Sequence, residues 1–127
     1  MSVKKILIVE DDIILSMLNS RIVELLGHKV IKAVKSGEEA IEFALNSDVD
    51  IILMDIRLKG EIDGIDTLIE INKTKAIPAI YVTGNSDDET KTRAEKTNMI
   101  AFCVKPFSYE ELEQIIGKAN RLEDQFA

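Results

Sequence analysis

This sequence of 127 residues has little of several residue types that define whole classes of protein. Its one cysteine, Cys103, excludes an internal disulfide and a cysteine-based zinc cluster, and it favours a reducing, cytoplasmic setting. The two prolines and six glycines form no linker or low-complexity tract. The longest apolar run, residues 99–104, is too short for a membrane span or a secretion signal. We therefore expect one globular domain over residues 1–127 with no membrane contact.

The charge of the chain is also one-sided. Acidic residues outnumber basic residues by 23 to 16, which gives a net charge of −7. A chain of this charge is repelled on average by the phosphate backbone of DNA or RNA. We therefore expect no direct binding of nucleic acid, and contacts with other proteins instead.

Five short apolar runs, rich in β-branched residues, suit strands that are covered on both faces. These runs are residues 6–9, 30–34, 51–54, 79–82 and 99–104. Helical patterns separate them, and three helices are expected to open with a serine and, three residues later, a glutamate. These capping boxes are Ser36 with Glu39, Ser86 with Glu89, and Ser108 with Glu111. The alternation predicts an α/β fold, a three-layer doubly wound sandwich with a five-stranded parallel sheet in the flavodoxin-like order 2-1-3-4-5.

The apolar positions within the helices indicate which faces are buried. In the first helix the expected core residues are Ile14, Leu15, Leu18, Ile22, Leu25 and Leu26. Gly27 is placed to end that helix in a left-handed conformation. A helix over residues 65–75 is expected to bury Ile65, Leu68 and Ile69. The helix within residues 86–98 has only Ala94 as an apolar residue, which predicts either a solvated face or a weakly anchored helix.

Polar and charged residues follow four of the predicted strands, and a parallel sheet brings these strand ends to one edge. They are Glu10, Asp11 and Asp12 after the first strand, Asp55 after the third, Thr83 after the fourth and Lys105 after the fifth. Carboxylates about 5 Å apart repel by roughly 3 kcal/mol per pair at an effective dielectric constant near 20. Oxygen ligands with open positions suit Mg²⁺. Together with a lysine and a hydroxyl, the site suits phosphoryl transfer to a carboxylate, with Asp55 as the nucleophile.

Four segments then carry a resemblance to a known family. They are ILIVEDD at residues 6–12, IILMD at 51–55, YVTGN at 81–85 and FCVKPF at 102–107. In this order and spacing the sequence resembles the receiver domains of two-component response regulators over essentially its whole length. The resemblance implies that Asp55 accepts a phosphoryl group from a histidine kinase or a histidine phosphotransfer protein. It also implies a downstream protein whose binding depends on phosphorylation.

The resemblance assigns roles to the metal ligands. Asp11 would bind Mg²⁺ directly, together with the acceptor Asp55, and Glu10 would assist. The backbone carbonyl of Arg57, two residues after the acceptor, would be a further ligand. Mg²⁺ is the only cofactor that the resemblance implies.

The resemblance also implies the groups that sense the phosphoryl group. Thr83 and Lys105 would contact its oxygens, and the peptide bond between Lys105 and Pro106 would be cis. Phe102 would be a rotamer switch coupled to Thr83. The alternative is that Phe102 is an ordinary aromatic residue on an edge strand.

The chain departs from the family pattern after the acceptor. The family commonly has a proline four residues after the acceptor, where this chain has Lys59, and the pair Asp63 and Gly64 falls one residue late. The loop over residues 58–62 is therefore longer, and Gly60 is expected to supply a positive φ.

Other residues invite a functional interpretation. Ile13 and Met17 either widen the core face of the first helix or, as the resemblance implies, dock the helical bundle that carries the donor histidine. His28 is expected to cap a helix end or to face solvent, rather than to act in a phosphorelay or bind a metal. Cys103 is expected to be a small core residue.

Three rival functions remain. A flavodoxin-type FMN binder shares the predicted fold, but Glu10, Asp11 and Asp12 would repel its phosphate. A Mg²⁺-dependent phosphatase with an aspartyl nucleophile, similar to the haloacid dehalogenase family, needs Asp-x-Asp, and here Arg57 stands in place of the second aspartate. The third rival is a receiver-like domain that is not phosphorylated.

Overall fold

The computed structural model describes the backbone of residues 3–84 and 87–126, and the side chains of these ranges up to Lys118. Within these ranges, strands and helices alternate. In chain order they are β1 (Lys5–Val9), α1 (Ile13–Leu25), β2 (Lys29–Val34), α2 (Gly37–Asn46), β3 (Ile51–Asp55), α3 (Gly64–Asn72), β4 (Ala79–Thr83), α4 (Asp88–Glu95), β5 (Met99–Val104) and α5 (Tyr109–Phe126). The strands pair in parallel in the order β2-β1-β3-β4-β5. The predicted fold and strand order are confirmed.

The sheet separates two apolar cores. Side chains alternate across each strand, so Leu7 and Met54 pack with α2, α3 and α4 on one face, and Ile8 and Leu53 pack with α1 and α5 on the other. The central strands β1, β3 and β4 are almost completely buried, as predicted. The prediction is wrong for β2 and in part for β5, which are partly exposed because each lies at an edge of the sheet.

The face that α1 buries differs from the predicted one. Asn19 and Val23 are buried inside the helix, Leu26 is buried just beyond it, and Ile22 packs on the same core. The large apolar side chains that face outward are Ile13, Ile14, Met17, Leu18 and Leu25, between 50% and 77% exposed. The prediction that Ile14, Leu18 and Leu25 are core residues is therefore wrong. Apolar residues occupy more than half of the helix circumference, so their periodicity alone does not select the buried face. The face that the structure buries is rotated by about a quarter turn from the predicted face.

The end of α1 follows the predicted motif. Gly27 has φ +88°, and its N–H donates to the Glu24 carbonyl at 3.0 Å, while the N–H of His28 donates to the Val23 carbonyl at 3.2 Å. The His28 side chain is 7% exposed, and its Nδ1 accepts a hydrogen bond from the Lys4 N–H at 3.0 Å. The backbone of His28 thus caps the helix as expected. The alternative expectation, a side chain that faces solvent, does not hold, because the imidazole is buried.

Serine and aspartate side chains cap the other helices. The Ser36 and Ser108 hydroxyls accept from the N–H groups of Glu39 and Glu111, which confirms two of the capping boxes. The third was expected at Ser86, which lies outside the described residues. The α4 cap in the structure is Asp87, whose carboxylate accepts from the Thr90 N–H at 2.8 Å.

The helix α3 ends earlier than predicted. It buries Ile65 and Leu68 as expected, but Ile69 is 48% exposed and Ile71 takes the expected place of Ile69 in the core. The α4 helix buries Ala94 and none of its other residues, as expected from its composition. Among the described residues, no helix has the length and apolarity needed to cross a membrane.

Candidate functional site

The carboxyl ends of the parallel strands meet at one edge of the sheet. Glu10 follows β1 directly, Asp55 and Thr83 are the last residues of β3 and β4, and Lys105 follows β5. Because β1, β3 and β4 are central and buried, their backbone fixes the positions of Glu10, Asp55 and Thr83.

Three carboxylates come together at this edge, as the sequence predicts. One ligand oxygen each from Glu10, Asp11 and Asp55 lies within 4.8 Å of the others. Glu10 is 2% exposed and Asp55 is 5% exposed, while Asp11 is partly exposed. Water therefore screens the repulsion among these groups poorly, and a cation is needed to offset it.

Lys105 supplies part of this compensation. Its Nζ lies 2.8 Å from Glu10 Oε1 and 3.0 Å from Asp55 Oδ2. Burial disfavours its charge, but the hydrogen bonds to Glu10 and Asp55 outweigh burial and raise the pKa of Lys105 above its ordinary value. With the carboxylates ionised, one ammonium among three carboxylates leaves two negative charges, which fits a divalent cation.

Glu10 is held differently from Asp11. Its Oε1 accepts from Lys105, and its Oε2 accepts from the Asp12 N–H at 3.1 Å. The Asp11 carboxylate has no hydrogen bond or ion pair with a described residue, so its oxygens are available for a metal. This contrast fits the expectation that Asp11 binds the cation directly and Glu10 assists.

Asp12 links this edge to the start of α1. Its Oδ1 accepts from the Leu15 N–H at 3.1 Å and caps the helix. Glu10, through the Asp12 N–H, therefore orients the loop from which α1 begins. Sequence reasoning placed Asp12 at the edge but missed this capping role.

Thr83 lies deep in the edge and is 1% exposed. Its carbonyl accepts from the Lys105 N–H at 2.8 Å, which ties the start of the β5–α5 loop to the end of β4. On β5, Phe102 pairs in register with Tyr81, is partly buried and packs against the core on the α4 side of the sheet. Thr83 and Phe102 thus lie on neighbouring strands, as a coupled switch requires. The peptide bond between Lys105 and Pro106 is cis, as expected.

In the loop after the acceptor, the predicted positive φ of Gly60 is confirmed. Gly60 has φ +114°, and a Cβ there would lie 2.9 Å from Glu38 Oε1, so both conformation and space favour glycine. The Arg57 side chain is exposed.

Gly64 has a role that sequence reasoning missed. Its N–H donates to the Ile56 carbonyl at 2.7 Å, and a Cβ at this position would overlap the carbonyl oxygen of Asp55. The start of α3 therefore packs directly on the backbone of the acceptor. The available signal was the pair Asp63 and Gly64, in which Asp63 caps α3 and Gly64 permits the close approach.

A comparison with family models matches residues 6–117 to the response regulator receiver domain. The chain belongs to this family. It is a receiver domain of two-component signalling, and the match spans the four strand ends that build the acidic edge. Receivers of this family interact with histidine kinases and downstream targets and bind Mg²⁺ at an acidic pocket, which corresponds here to Glu10, Asp11 and Asp55.

Curated relatives support the assignment. The chain is 35% identical over 115 residues to the transcriptional regulatory protein ZraR of Escherichia coli. This alignment covers 90% of this chain and 26% of the relative. It is 29% identical over 109 residues to the transcriptional regulatory protein PdtaR of Mycobacterium tuberculosis. That alignment covers 86% of this chain and 53% of the relative. The chain thus spans between a quarter and about half of these relatives. The name transcriptional regulator refers to these longer proteins as a whole.

Solved receivers have the same fold. The signal receiver domain of a modulated diguanylate cyclase from Desulfovibrio desulfuricans superposes with a TM-score of 0.90 at 30% identity, covering 99% of this chain and 100% of that one. A CheY-like receiver domain from Methanospirillum hungatei gives 0.89 at 25% identity, with coverage of 99% and 100%. These matches favour a receiver over the FMN binder and the phosphatase.

Proposed function

We propose that Asp55 accepts a phosphoryl group from the phosphohistidine of a histidine kinase or a histidine phosphotransfer protein, in a reaction that needs Mg²⁺. The observation that carries this proposal is the contact of Lys105 Nζ with Asp55 Oδ2 beside the carboxylates of Glu10 and Asp11. This contact supports roles for Asp55 as the nucleophile, for Lys105 as a fixed positive charge and for the carboxylates as metal ligands.

The chain's own residues have distinct roles in the transfer. An oxygen of Asp55 attacks phosphorus, the P–N bond of the phosphohistidine breaks, and the leaving imidazole takes up a proton from solvent. Lys105 and the Thr83 hydroxyl donate hydrogen bonds to the phosphoryl oxygens, which carry the developing charge. The product is an acyl phosphate on Asp55.

Mg²⁺ would be held by Asp11, by Asp55 and by the backbone carbonyl of Arg57, with Glu10 assisting. Two observations support this assignment: the Asp11 carboxylate pairs with none of the described residues, and two negative charges of the edge are left without compensation by Lys105. When bound, the ion neutralises charge on the phosphoryl oxygens and brings them next to the acceptor.

The output is a protein contact that depends on phosphorylation. Thr83 moves toward the phosphoryl group, and Phe102 on the neighbouring strand turns into the space that Thr83 leaves, which changes the face formed by α4, β5 and α5. The register of β4 and β5 supports this coupling. To be useful, the modification has to favour the inward state by about 1–3 kcal/mol.

The donor would dock at the start of α1. Ile13 and Met17 are 57% and 68% exposed and lie in the first turns of the helix that begins at the acidic edge. We propose that residues 1–127 act as a single receiver in the cytoplasm. This receiver catalyses only its own phosphorylation and dephosphorylation, and it binds no nucleic acid directly.

Intact-mass measurement tests the central step. Incubation with a small acyl phosphate and Mg²⁺ is expected to add the mass of one phosphoryl group, and hydroxylamine is expected to remove it. EDTA or Asp55→Asn is expected to abolish the addition, because the metal or the nucleophile is then missing. Asp48→Asn is the control, because Asp48 is exposed and pairs with Lys5 at the opposite end of the sheet. Labelling that persists in Asp55→Asn, or that does not need the metal, would contradict the proposal.

A further inference from the structure

The start of α3 is held against the backbone of the acceptor. Gly64, the first residue of this helix, donates its N–H to the Ile56 carbonyl at 2.7 Å. A Cβ at Gly64 would overlap the Asp55 carbonyl oxygen and would lie 2.8 Å from Met54 Cγ, so α3 contacts the acceptor strand directly. Under the proposed function the next carbonyl after that of Ile56, which belongs to Arg57, is a ligand of Mg²⁺. A shift of the α3 start therefore moves the peptide group beside this ligand.

Asp63 connects the start of α3 to α4. Its Oδ1 accepts from the Asp66 N–H at 2.8 Å and caps α3. Its Oδ2 accepts from Arg93 Nη1 of α4 at 3.0 Å. Both carboxylate oxygens are thus used, one within α3 and one across to α4. Because Asp63 directly precedes Gly64, the position of its carboxylate depends on the contact between Gly64 and Asp55.

The α4 helix is able to respond to this connection because little else holds it. Of residues 88–95, only Ala94 is buried. Beyond the end of the helix, the Thr97 hydroxyl lies 2.8 Å from the Tyr81 hydroxyl. Energetic coupling between two sites requires an element whose arrangement both sites bias. A helix with so few apolar contacts is such an element, since one ion pair is a large part of what fixes it.

We propose that Asp63 and Arg93 are positioning residues that couple Mg²⁺ binding at the acidic edge to the order of α4. The proposal rests on the proposed function, since it takes the Arg57 carbonyl as a metal ligand. Mg²⁺ held by Asp55 and by this carbonyl fixes the end of β3 and the residues that follow it. The contact at Gly64 then restricts Asp63 as well. A restricted Asp63 carboxylate is better placed for Arg93, so the ion pair is formed for a larger fraction of the time.

The coupling is reciprocal and small. The factor by which Mg²⁺ strengthens the ion pair is also the factor by which the ion pair strengthens Mg²⁺ binding. The side chains of Arg93 and Asp63 are 42% and 28% exposed, and ion pairs of this kind are weak. Because the strength of the pair limits the coupling, we expect a factor of about two to three. The link acts before phosphorylation, and it is separate from the proposed switch through Thr83 and Phe102.

Hydrogen exchange of the full chain tests the coupling, measured for the α4 amide protons with and without saturating Mg²⁺ at constant ionic strength. In the wild type, Mg²⁺ is expected to slow this exchange by about two- to three-fold. Arg93→Ala and Asp63→Asn are expected to exchange at the same rate with and without Mg²⁺. The asparagine still accepts from the Asp66 N–H, so the α3 cap is kept while the charge is lost. Lys91→Ala is the matched control, since Lys91 is exposed on the same helix and makes no ion pair with a described residue, and it is expected to respond as the wild type.

Calorimetric titration with Mg²⁺ measures the same coupling in reverse. Arg93→Ala and Asp63→Asn are each expected to weaken Mg²⁺ binding by about two- to three-fold, and the double variant by no more, because both changes remove the same pair. Charge alone would act in opposite directions, since Arg93→Ala removes a positive charge and Asp63→Asn removes a negative one. Opposite changes in affinity, or no change in either variant, would therefore overturn the proposal.

The wild type separates this proposal from the proposed function. If it binds Mg²⁺ and is phosphorylated at Asp55, but Mg²⁺ leaves the exchange of α4 unchanged, the coupling is wrong and the proposed function stands. If Mg²⁺ slows α4 equally in the wild type, in Arg93→Ala and in Asp63→Asn, the ion pair is not the link and the proposal is overturned. A wild type that binds no Mg²⁺ would overturn both.

Discussion

The helices α1 and α4 both begin at the acidic edge, yet they are anchored in different ways. The α1 helix buries Asn19 and Val23, ends in a glycine cap, and still has large apolar side chains left on its outer face. The α4 helix buries only Ala94. One helix therefore has more apolar surface than the core takes up, and the other has almost none to contribute.

Polar contacts take the place of apolar packing in α4. Arg93 Nη1 lies 3.0 Å from Asp63 Oδ2, and Nη2 lies 3.3 Å from Asp66 Oδ1. Behind the helix, the hydroxyls of Tyr81 and Thr97 are 2.8 Å apart, and burial is the main cause that raises the pKa of Tyr81 to about 12. Exposed ion pairs of this kind stabilise a protein by less than about 1 kcal/mol each. The comparison teaches that α1 is anchored firmly on the core and α4 weakly, and the proposed switch through Thr83 requires an α4 that is held weakly.

The largest effect is expected on the inner face of α1. Val23→Ala removes two buried methyl groups from a fully buried position, so it is expected to lower the free energy of unfolding by about 2 kcal/mol. Leu18→Ala, on the outer face of the same helix, is expected to change it by less than about 0.5 kcal/mol. Urea denaturation of both variants measures the difference. Equal losses would show that the outer face of α1 is packed after all.

The α1 helix also shows where sequence reasoning failed. Its apolar residues lie on more than half of the circumference, and the structure buries Asn19 while it exposes Ile14, so hydrophobicity alone chooses the wrong face. The same error placed Ile69 of α3 in the core. In both cases the face is decided by packing between elements that are distant in the sequence, and a local pattern does not contain that information.

The acidic edge, in contrast, could be predicted because its residues are recognisable from local sequence. Glu10, Asp55, Thr83 and Lys105 each stand next to a strand that is recognisable by itself, and parallel pairing alone brings the strand ends together. The role of Gly64 was not predictable in this way. It depends on the distance between the start of α3 and the carbonyl of Asp55, which only the folded backbone shows.

A smaller effect is expected where α1 ends, at His28. Burial and, second, the charge of Lys4 lower the pKa of this imidazole, and its Nδ1 has to be unprotonated to accept the Lys4 N–H. The unfolded chain, with an ordinary pKa near 6.5, therefore takes up a proton that the folded chain does not. Stability due to this residue is present above that pH and is lost as the pH falls below it.

Thermal unfolding between about pH 7 and about pH 5 measures this loss. His28→Asn keeps an acceptor for the Lys4 N–H but does not titrate, so its melting temperature is expected to fall less over this range than that of the wild type. The lowered pKa values of Asp48 and Asp87, which are due first to hydrogen bonds with Lys5 and with Thr90, act only at more acidic pH. Identical pH profiles of variant and wild type would contradict the assigned role.

A small effect on stability, and the most informative one about α4, is expected from Arg93→Ala. It removes both ion pairs to the start of α3, at a cost below about 1 kcal/mol in the free energy of unfolding, because all three groups are partly or largely exposed. The amide protons of α4 are expected to exchange faster by several-fold, since Ala94 alone then anchors the helix on the core. Lys91→Ala is the control, because Lys91 is exposed on the same helix and makes no ion pair with a described residue. High salt is expected to bring the wild type towards the Arg93→Ala rate while leaving the difference between Lys91→Ala and the wild type unchanged. If α4 exchanges equally slowly in all three proteins, then apolar contacts hold it, and the contrast with α1 has to be given up.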